Sequence, residues 1–522
     1  MIIGRAFTEI TSSSNTFKKL DKIFSLIEDK YVDTINLDSI LEKSFPDIIA
    51  QLDPHSSYIS AKDLKATNEE LDGSFSGIGI SFTIMNDTVS IIEIIPNGPS
   101  EKVGLLAGDR IITVNNKNIA GISISNEKVM QLLRGDKGSK VSLGIKRNSS
   151  PKPLTFDIIR GDIPVNSVDA AYTISPEIGY IKINKFSRNT YNEFLTALNN
   201  LKNNGANKYI IDLRGNGGGY MESAVMMANE FLPAKHIIVN TRTRFDHQST
   251  GSDGNGSFQN AELVVLIDEF SASASEIFAG AIQDHDRGLI LGRRSFGKGL
   301  VQQQITLPDS SAIRLTVARY YTPSGRCIQK DYTLGDKSYN NELTERFNHG
   351  EAYNIDSIKL DKSTEYYTSG GRKVYGGGGI MPDIFIPNDT SGITKYYYNV
   401  ANAGLFQKYA FNYCDKNRNK FSECSSTSDV LKKLPSDDLL LYDFVDFSKK
   451  NKVPAQWYYI NTSRKLITTI LKALITRDII GSHAYYEVYN TYDNNVLKAI
   501  EQINNGAAKF PIQQIGNDQK RN

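Results

Sequence analysis

The stretch EFSASASEIFA, residues 269–279, places serines at every second position: Ser271, Ser273 and Ser275. No histidine lies beside them. The apolar run VVLI before it reads as a buried strand ending near Asp268, and an amphipathic helix begins near Ala274. A serine at such a junction projects from the sheet edge. The first amides of the helix lack intrahelical acceptors, so they can hold the oxyanion that forms when a hydroxyl attacks a carbonyl. Ser273 is the serine just before the helix body, with the Ala274 amide as one oxyanion donor. Ser271 falls too early in the turn, and Ser275 falls inside the first helical turn beside Glu276. The same pattern also fits a plain helix N-cap at Ser271 or Ser273.

A hydroxyl nucleophile needs a base. In LILGRRSFGKGLVQQQITL, Lys298 stands between Gly297 and Gly299, which suit close backbone approach. A lysine held in a tight apolar corner loses solvation, and its neutral form can then accept a proton. Gln302, four residues on, can orient the amine. GRRSFGKG also approaches a phosphate-binding loop. However, Gly299 occupies the position of the magnesium-binding hydroxyl and a strand follows where a helix is required, so a nucleotide site is rejected.

A third turn, DLRGNGGGYMESA from Asp212, exposes unobstructed amides ahead of another helix. It can supply a second oxyanion donor from Gly217 or Gly218. Histidine catalysis fits poorly. His285 follows Ser273 by about 18 Å along a helix, and neither His236 nor His247 occupies a catalytic-looking turn. His55 sits alone in a surface turn. No H-E-x-x-H or Cys/His cluster exists, so no metal and no cofactor is expected.

These turns need a scaffold. At 522 residues the chain is long enough for roughly three or four domains. Its 60 basic and 58 acidic residues nearly cancel, which argues against a dedicated nucleic-acid surface. With 27 Tyr and 23 Phe it can build large cores. The pattern predicts an N-terminal helical region over 1–73 and a small β-rich module over 74–150, with strands GIGISFTI, TVSIIEII, DRIITVN and KVSLGIK. An α/β core with alternating strands and helices follows over 151–330. Next come a polar insert read as a long loop over 331–370, a return to the core over 371–388, and a mostly helical domain over 389–522. Cys414 and Cys424 read as free thiols, with a bridge as the alternative in an oxidising compartment. The start, MIIGRAFTEITSSS, has too short an apolar core for a signal peptide. It fits either an ordinary terminus or the stub left beyond an upstream membrane anchor.

SASASEIFAGAIQDHDRG, GRRSFGKGLVQ and DLRGNGGG together resemble the carboxyl-terminal processing peptidases, or tail-specific proteases, which are Ser–Lys serine peptidases. The resemblance implies Ser273 as nucleophile, Lys298 as base and Gln302 as its positioning residue. The oxyanion amides map to Ala274 and to Gly217 or Gly218. Residues 77–147 resemble the PDZ domain of that family, with Gly77, Ile78, Gly79 and Ile80 as the loop that binds the carboxylate of a protein tail. The implied partners are proteins or peptides with apolar C-termini, and the implied location is the periplasm or cell envelope. A non-catalytic scaffold or chaperone that binds C-termini is the alternative. The intact Ser, Lys and Gln set speaks against it.

Overall fold

The computed structural model describes residues 15–359 and 364–509. The opening MIIGRAFTEITSSS lies outside them. The described chain divides into two units, one of residues up to Leu64 with Gln302–Thr316, the other of Lys65–Val301 with Val317 onward.

The larger unit is built on a six-stranded sheet. Its order is Val168–Ser175, Ile178–Ile183, Lys208–Asp212, Glu262–Ile267, Leu289–Gly292 and Ile384–Phe385. The first pair is antiparallel and the rest are parallel. Strands buried on both faces read as continuous apolar runs, as YIID and ELVVLI do. Register sorts their side chains into two layers. The row Ile181–Ile211–Val265–Ile290 faces the helices Thr190–Asn203, Met221–Asn229 and Ala274–Asp284, where Phe194, Met227 and Phe278 complete the core. The adjacent row Tyr180–Ile210–Val264–Leu289 faces Val496, Ala499 and Ile503 of the helix Asn494–Asn504. The last described helix is therefore a layer of the α/β core, although it follows the helical domain in the chain.

The PDZ-like module is a sheet ordered Ile80–Met85, Thr88–Ile94, Arg110–Val114, Lys140–Lys146 and Leu154–Ile159. Inward residues such as Val89, Ile91, Ile111, Val141, Leu143 and Ile158 form its core. The strand Leu154–Ile159 pairs with Lys140–Lys146, so the sheet runs past the boundary expected at residue 150. LTFDII alternates polar and apolar residues as an outer strand should, but the preceding NSSPKP looks like a linker.

The expected loop over 331–370 contains a helix, Asp336–Asn348. Its two buried side chains are Tyr339 and Arg346, so no apolar stripe announces it. The helical domain packs around Trp457–Ile480, with Leu440, Phe444, Ile467 and Leu471 at its centre. The three cysteines are free thiols. Among the described residues no helix is long and apolar enough to cross a membrane.

In the smaller unit, Ser57–Ile59 pairs antiparallel with Ala312–Arg314. Phe45 packs on Tyr58, with ring centroids 5.2 Å apart.

Candidate active site

Ser273 ends a strand-to-helix turn with φ 56° and ψ −114°. That region is strained for an L-residue and is the geometry of a serine elbow. The neighbouring serines are fully buried and committed. Ser271 Oγ donates to the Leu213 carbonyl and accepts from the Asp268 amide, both at 2.9 Å. Ser275 Oγ donates to the Asn216 carbonyl at 2.9 Å. Ser273 is only half-buried, and its hydroxyl donates to no carbonyl among the described residues.

Glu276, one turn into the helix, is completely buried. Its Oε2 accepts from the Ser273 amide at 2.8 Å and from the Lys298 amide at 2.9 Å. Oε1 accepts from the Gly297 amide at 2.7 Å and the Ser295 hydroxyl at 2.5 Å. Burial pushes this carboxyl above its ordinary range, although all four donors pull the other way. A second tie crosses the same gap. The Tyr320 hydroxyl lies 3.1 Å from the Ser273 carbonyl and 2.5 Å from the Lys298 carbonyl. Burial, with the nearby charge of Glu276, raises this phenol well above its usual range, so it keeps the proton it donates. The serine turn and the lysine turn are thus adjacent, although 25 positions separate them in the chain.

The glycine turn is pressed against the serine. Gly218 has φ 99°, and a Cβ on it would stand 2.7 Å from both Ser273 Cβ and the Ala272 carbonyl oxygen. Its amide donates to Asn216 Oδ1 at 2.9 Å. Gly217 is exposed, and a Cβ there would meet nothing within 4 Å. Neither the Gly217 nor the Ala274 amide reaches a protein acceptor among the described residues. Asn216 accepts the Ala272 amide at 3.0 Å, and the Gly215 amide donates to Asp268 at 2.9 Å. Asp212 lies beneath the turn. Burial alone would raise its carboxyl, but Arg214 and Lys182 beside it hold it well below the usual range.

Gln302 belongs to the smaller unit, where its Nε2 donates to Thr316 Oγ1 at 3.1 Å. Thr316 Oγ1 donates in turn to Asp53 at 3.0 Å. His285 packs edge-on against His236, 4.8 Å between centroids, and its Nε2 is 2.6 Å from the Ile237 carbonyl. The insert helix braces the lysine turn instead. Arg346 donates to the carbonyls of Ser295 at 2.8 Å and Phe296 at 3.1 Å.

A cavity of about 480 Å³ opens in the PDZ-like module between the edge strand Ile80–Met85 and the helix Asn126–Leu133. Gly77, Ile78, Gly79 and Ile80 line one end, and Phe82, Met130 and Leu133 supply apolar walls. An edge strand beside a helix is the arrangement to which an extended peptide adds as a further strand.

Comparison with known proteins matches peptidase family S41 over residues 177–338, a PDZ domain over 76–158 and a family of unknown function (DUF8443) over 396–481. The chain is 37% identical over 327 residues to the carboxy-terminal-processing protease of Bartonella bacilliformis, covering 61% of this chain and 74% of that protein. It belongs to the carboxyl-terminal processing peptidases. The carboxy-terminal processing protease CtpB of Bacillus subtilis is 34% identical over 321 residues, 60% of this chain and 65% of its own length. The solved photosystem II D1 C-terminal processing protease aligns with 72% of this peptidase and 88% of itself, at 26% identity and a TM-score of 0.38. The peptidase is a serine-type endopeptidase with a PDZ domain.

Sequence reasoning passed over Glu276, Tyr320 and the Asp212–Arg214 pair. One signal was present. Ser273-Ala-Ser-Glu276 has the S-x-x-E spacing of a capping box, which places a carboxylate on the serine's own amide. Tyr320 carries no comparable mark.

Proposed function

We propose that this peptidase cleaves peptide bonds with Ser273 as nucleophile and Lys298 as general base, on proteins recruited through their C-terminal tails. Neutral Lys298 Nζ takes the Ser273 Oγ proton as Oγ bonds to the substrate carbonyl carbon. The amides of Ala274 and Gly217 then hold the oxyanion. Gly217 is preferred to Gly218, whose amide already has Asn216 as acceptor. The tetrahedral intermediate collapses, the C–N bond breaks, and the lysine proton leaves on the amine. Water, losing a proton to the same lysine, hydrolyses the acyl-enzyme. Gln302 is assigned to orienting the amine on its place in the chain, four residues beyond Lys298.

One observation carries the reading: a single buried oxygen, Glu276 Oε2, binds the backbones of both Ser273 and Lys298. The apolar walls of the PDZ cavity favour a tail with an apolar last residue, and the cell envelope is the proposed location.

The deciding experiment reacts the full chain with an acylating serine-peptidase inhibitor and maps the adduct by mass spectrometry. It also assays S273A and K298A on an unfolded protein with an apolar C-terminus. An adduct on Ser273 and loss of cleavage in both variants are expected. Cleavage that persists in S273A removes the assignment of Ser273 as nucleophile.

A further inference from the structure

Arg214 opens the glycine turn, and its guanidinium is divided between two carboxylates far apart in the chain. Nε and Nη2 donate to Asp212, the latter at 2.6 Å. Nη1 donates to both oxygens of Asp493, at 3.1 and 2.9 Å. Asp493 is the N-cap of the helix Asn494–Asn504, accepting the Asn495 amide at 2.9 Å and the Val496 amide at 3.3 Å. It lies beyond both matched segments, S41 over 177–338 and DUF8443 over 396–481.

We propose that Asp493 is a positioning residue for the glycine turn, through which the last helix sets where the Gly217 amide points. The inference rests on the reading that this amide holds the oxyanion. Glycines restrict backbone conformation least, so a turn of sequence RGNGGG needs pegs from its other residues. Asn216 is one peg, donating to the Ile183 carbonyl at 3.1 Å. Arg214 is the other. Its carbonyl accepts from Lys182 Nζ, and its own amide donates to Asp212 at 3.0 Å. Two cations, Lys182 and Arg214, meet two carboxylates, Asp212 and Asp493, in a nearly closed pocket where Asp493 is 9% exposed. Removing one carboxylate leaves a buried positive charge uncompensated, and the cheapest relief is for Arg214 to swing outward and carry the turn with it.

Asp493→Asn separates the two jobs of this side chain, because asparagine caps a helix as well as aspartate does but carries no charge. Asp493→Ser is a second uncharged cap. In the full chain both variants should stay folded, melting below the wild type only by what the lost ion pair accounts for, and keep its KM. Their kcat should fall about 10- to 100-fold, the scale of a small misplacement at an oxyanion site. Active-site titration with the acylating inhibitor should give an unchanged titre with slowed acylation. Asp493→Glu should recover activity relative to Asp493→Asn. Wild-type kcat in both uncharged caps overturns the inference. So does a loss that follows the titre of folded enzyme, or failure of the glutamate variant to exceed the asparagine one. S273A separates the two ideas. If it retains cleavage, the catalytic reading falls. If it is dead while Asp493→Asn is fully active, only the role of Asp493 falls.

Discussion

The amides of Ser273 and Lys298 share one acceptor, Glu276 Oε2, at 2.8 and 2.9 Å. An ionised carboxylate accepts from four donors here and donates to none. Glu276→Gln keeps the shape but turns an NH₂ group toward groups that also donate. Leaving such donors unmatched in a buried site costs about 1–3 kcal/mol. The larger effect should be on rate. A relative shift of serine and lysine by a fraction of an ångström to 1 Å should lower kcat by up to about 10²-fold. Steady-state kinetics beside a thermal melt checks this. Unchanged kcat in a folded Glu276→Gln enzyme would show that the shared acceptor does not set the spacing.

Gly217 and Gly218 are neighbours with opposite expectations. Gly218→Ala forces a Cβ to 2.7 Å from Ser273 Cβ at φ 99°, so backbone must move, at a strain of about 1–3 kcal/mol. Gly217→Ala meets nothing within 4 Å and keeps its backbone amide. Cleavage should collapse in the first and survive in the second. Equal activity in the pair would contradict the packing of the glycine turn against the serine.

The three turns were legible in the sequence because each is a short polar or glycine-rich stretch beside an unambiguous element. VVLI before SASAS and YIID before RGNGGG are apolar on both faces, and only strands buried in a parallel sheet need that. What joins the turns was not legible. Glu276 sits among helix residues such as Ile277 and Phe278 and looks like an outward charge until the fold buries it. The insert helix Asp336–Asn348 escaped because it buries only Tyr339 and Arg346 and so carries no apolar stripe. Arg346 reaches carbonyls and Glu342 rather than an apolar core. The helix Asn494–Asn504 fell within the region read as mostly helical, but nothing local shows that it covers the sheet or that its cap reaches Arg214. Pairings across 279 positions leave no periodic trace in one sequence.

If neutral Lys298 is the base, kcat/KM should rise as the pH is raised from 5 toward 9, since a protonated amine cannot accept the serine proton. Glu276 adds to the acid side of the profile. Burial raises its carboxyl above the ordinary value of 4.5, so it takes up a proton at a higher pH than a free glutamate does. The protonated form loses acceptor capacity toward the Ser273 and Lys298 amides. The rise should therefore be steeper at its acid end than one group would give. A flat profile from pH 5 to 9 contradicts the neutral-lysine mechanism.

The PDZ cavity should control capture rather than chemistry. Met130 is 40% exposed on the cavity wall. Met130→Asp places a charge where an apolar side chain of a tail would sit. It should raise KM for tailed substrates roughly tenfold, equivalent to about 1.4 kcal/mol, and leave kcat alone. A short peptide with no need for capture should be cleaved as by the wild type. If kcat falls instead, the module does more than hold the tail.

Asp478, at the end of the long helix Trp457–Ile480, makes stability depend on pH in a direction opposite to most carboxylates. Its side chain is 4% exposed, and its Oδ1 accepts from Arg477 at 2.9 and 2.7 Å. Oδ2 has no hydrogen-bond partner among the described residues. Burial pushes the carboxyl up from 3.8 to about 6, more than Arg477 pulls it down. A folded value above the unfolded one means the folded state holds the proton more tightly. The resulting stability is present below about pH 4 and is lost as the pH rises through about 6. Asp478→Asn carries no charge to bury. It should stabilise the protein by up to about 3 kcal/mol at pH 8 and by almost nothing at pH 4. Urea unfolding of both proteins at the two pH values measures the difference. A gain of equal size at pH 4 and pH 8 would place its origin in packing rather than in the ionisation of Asp478.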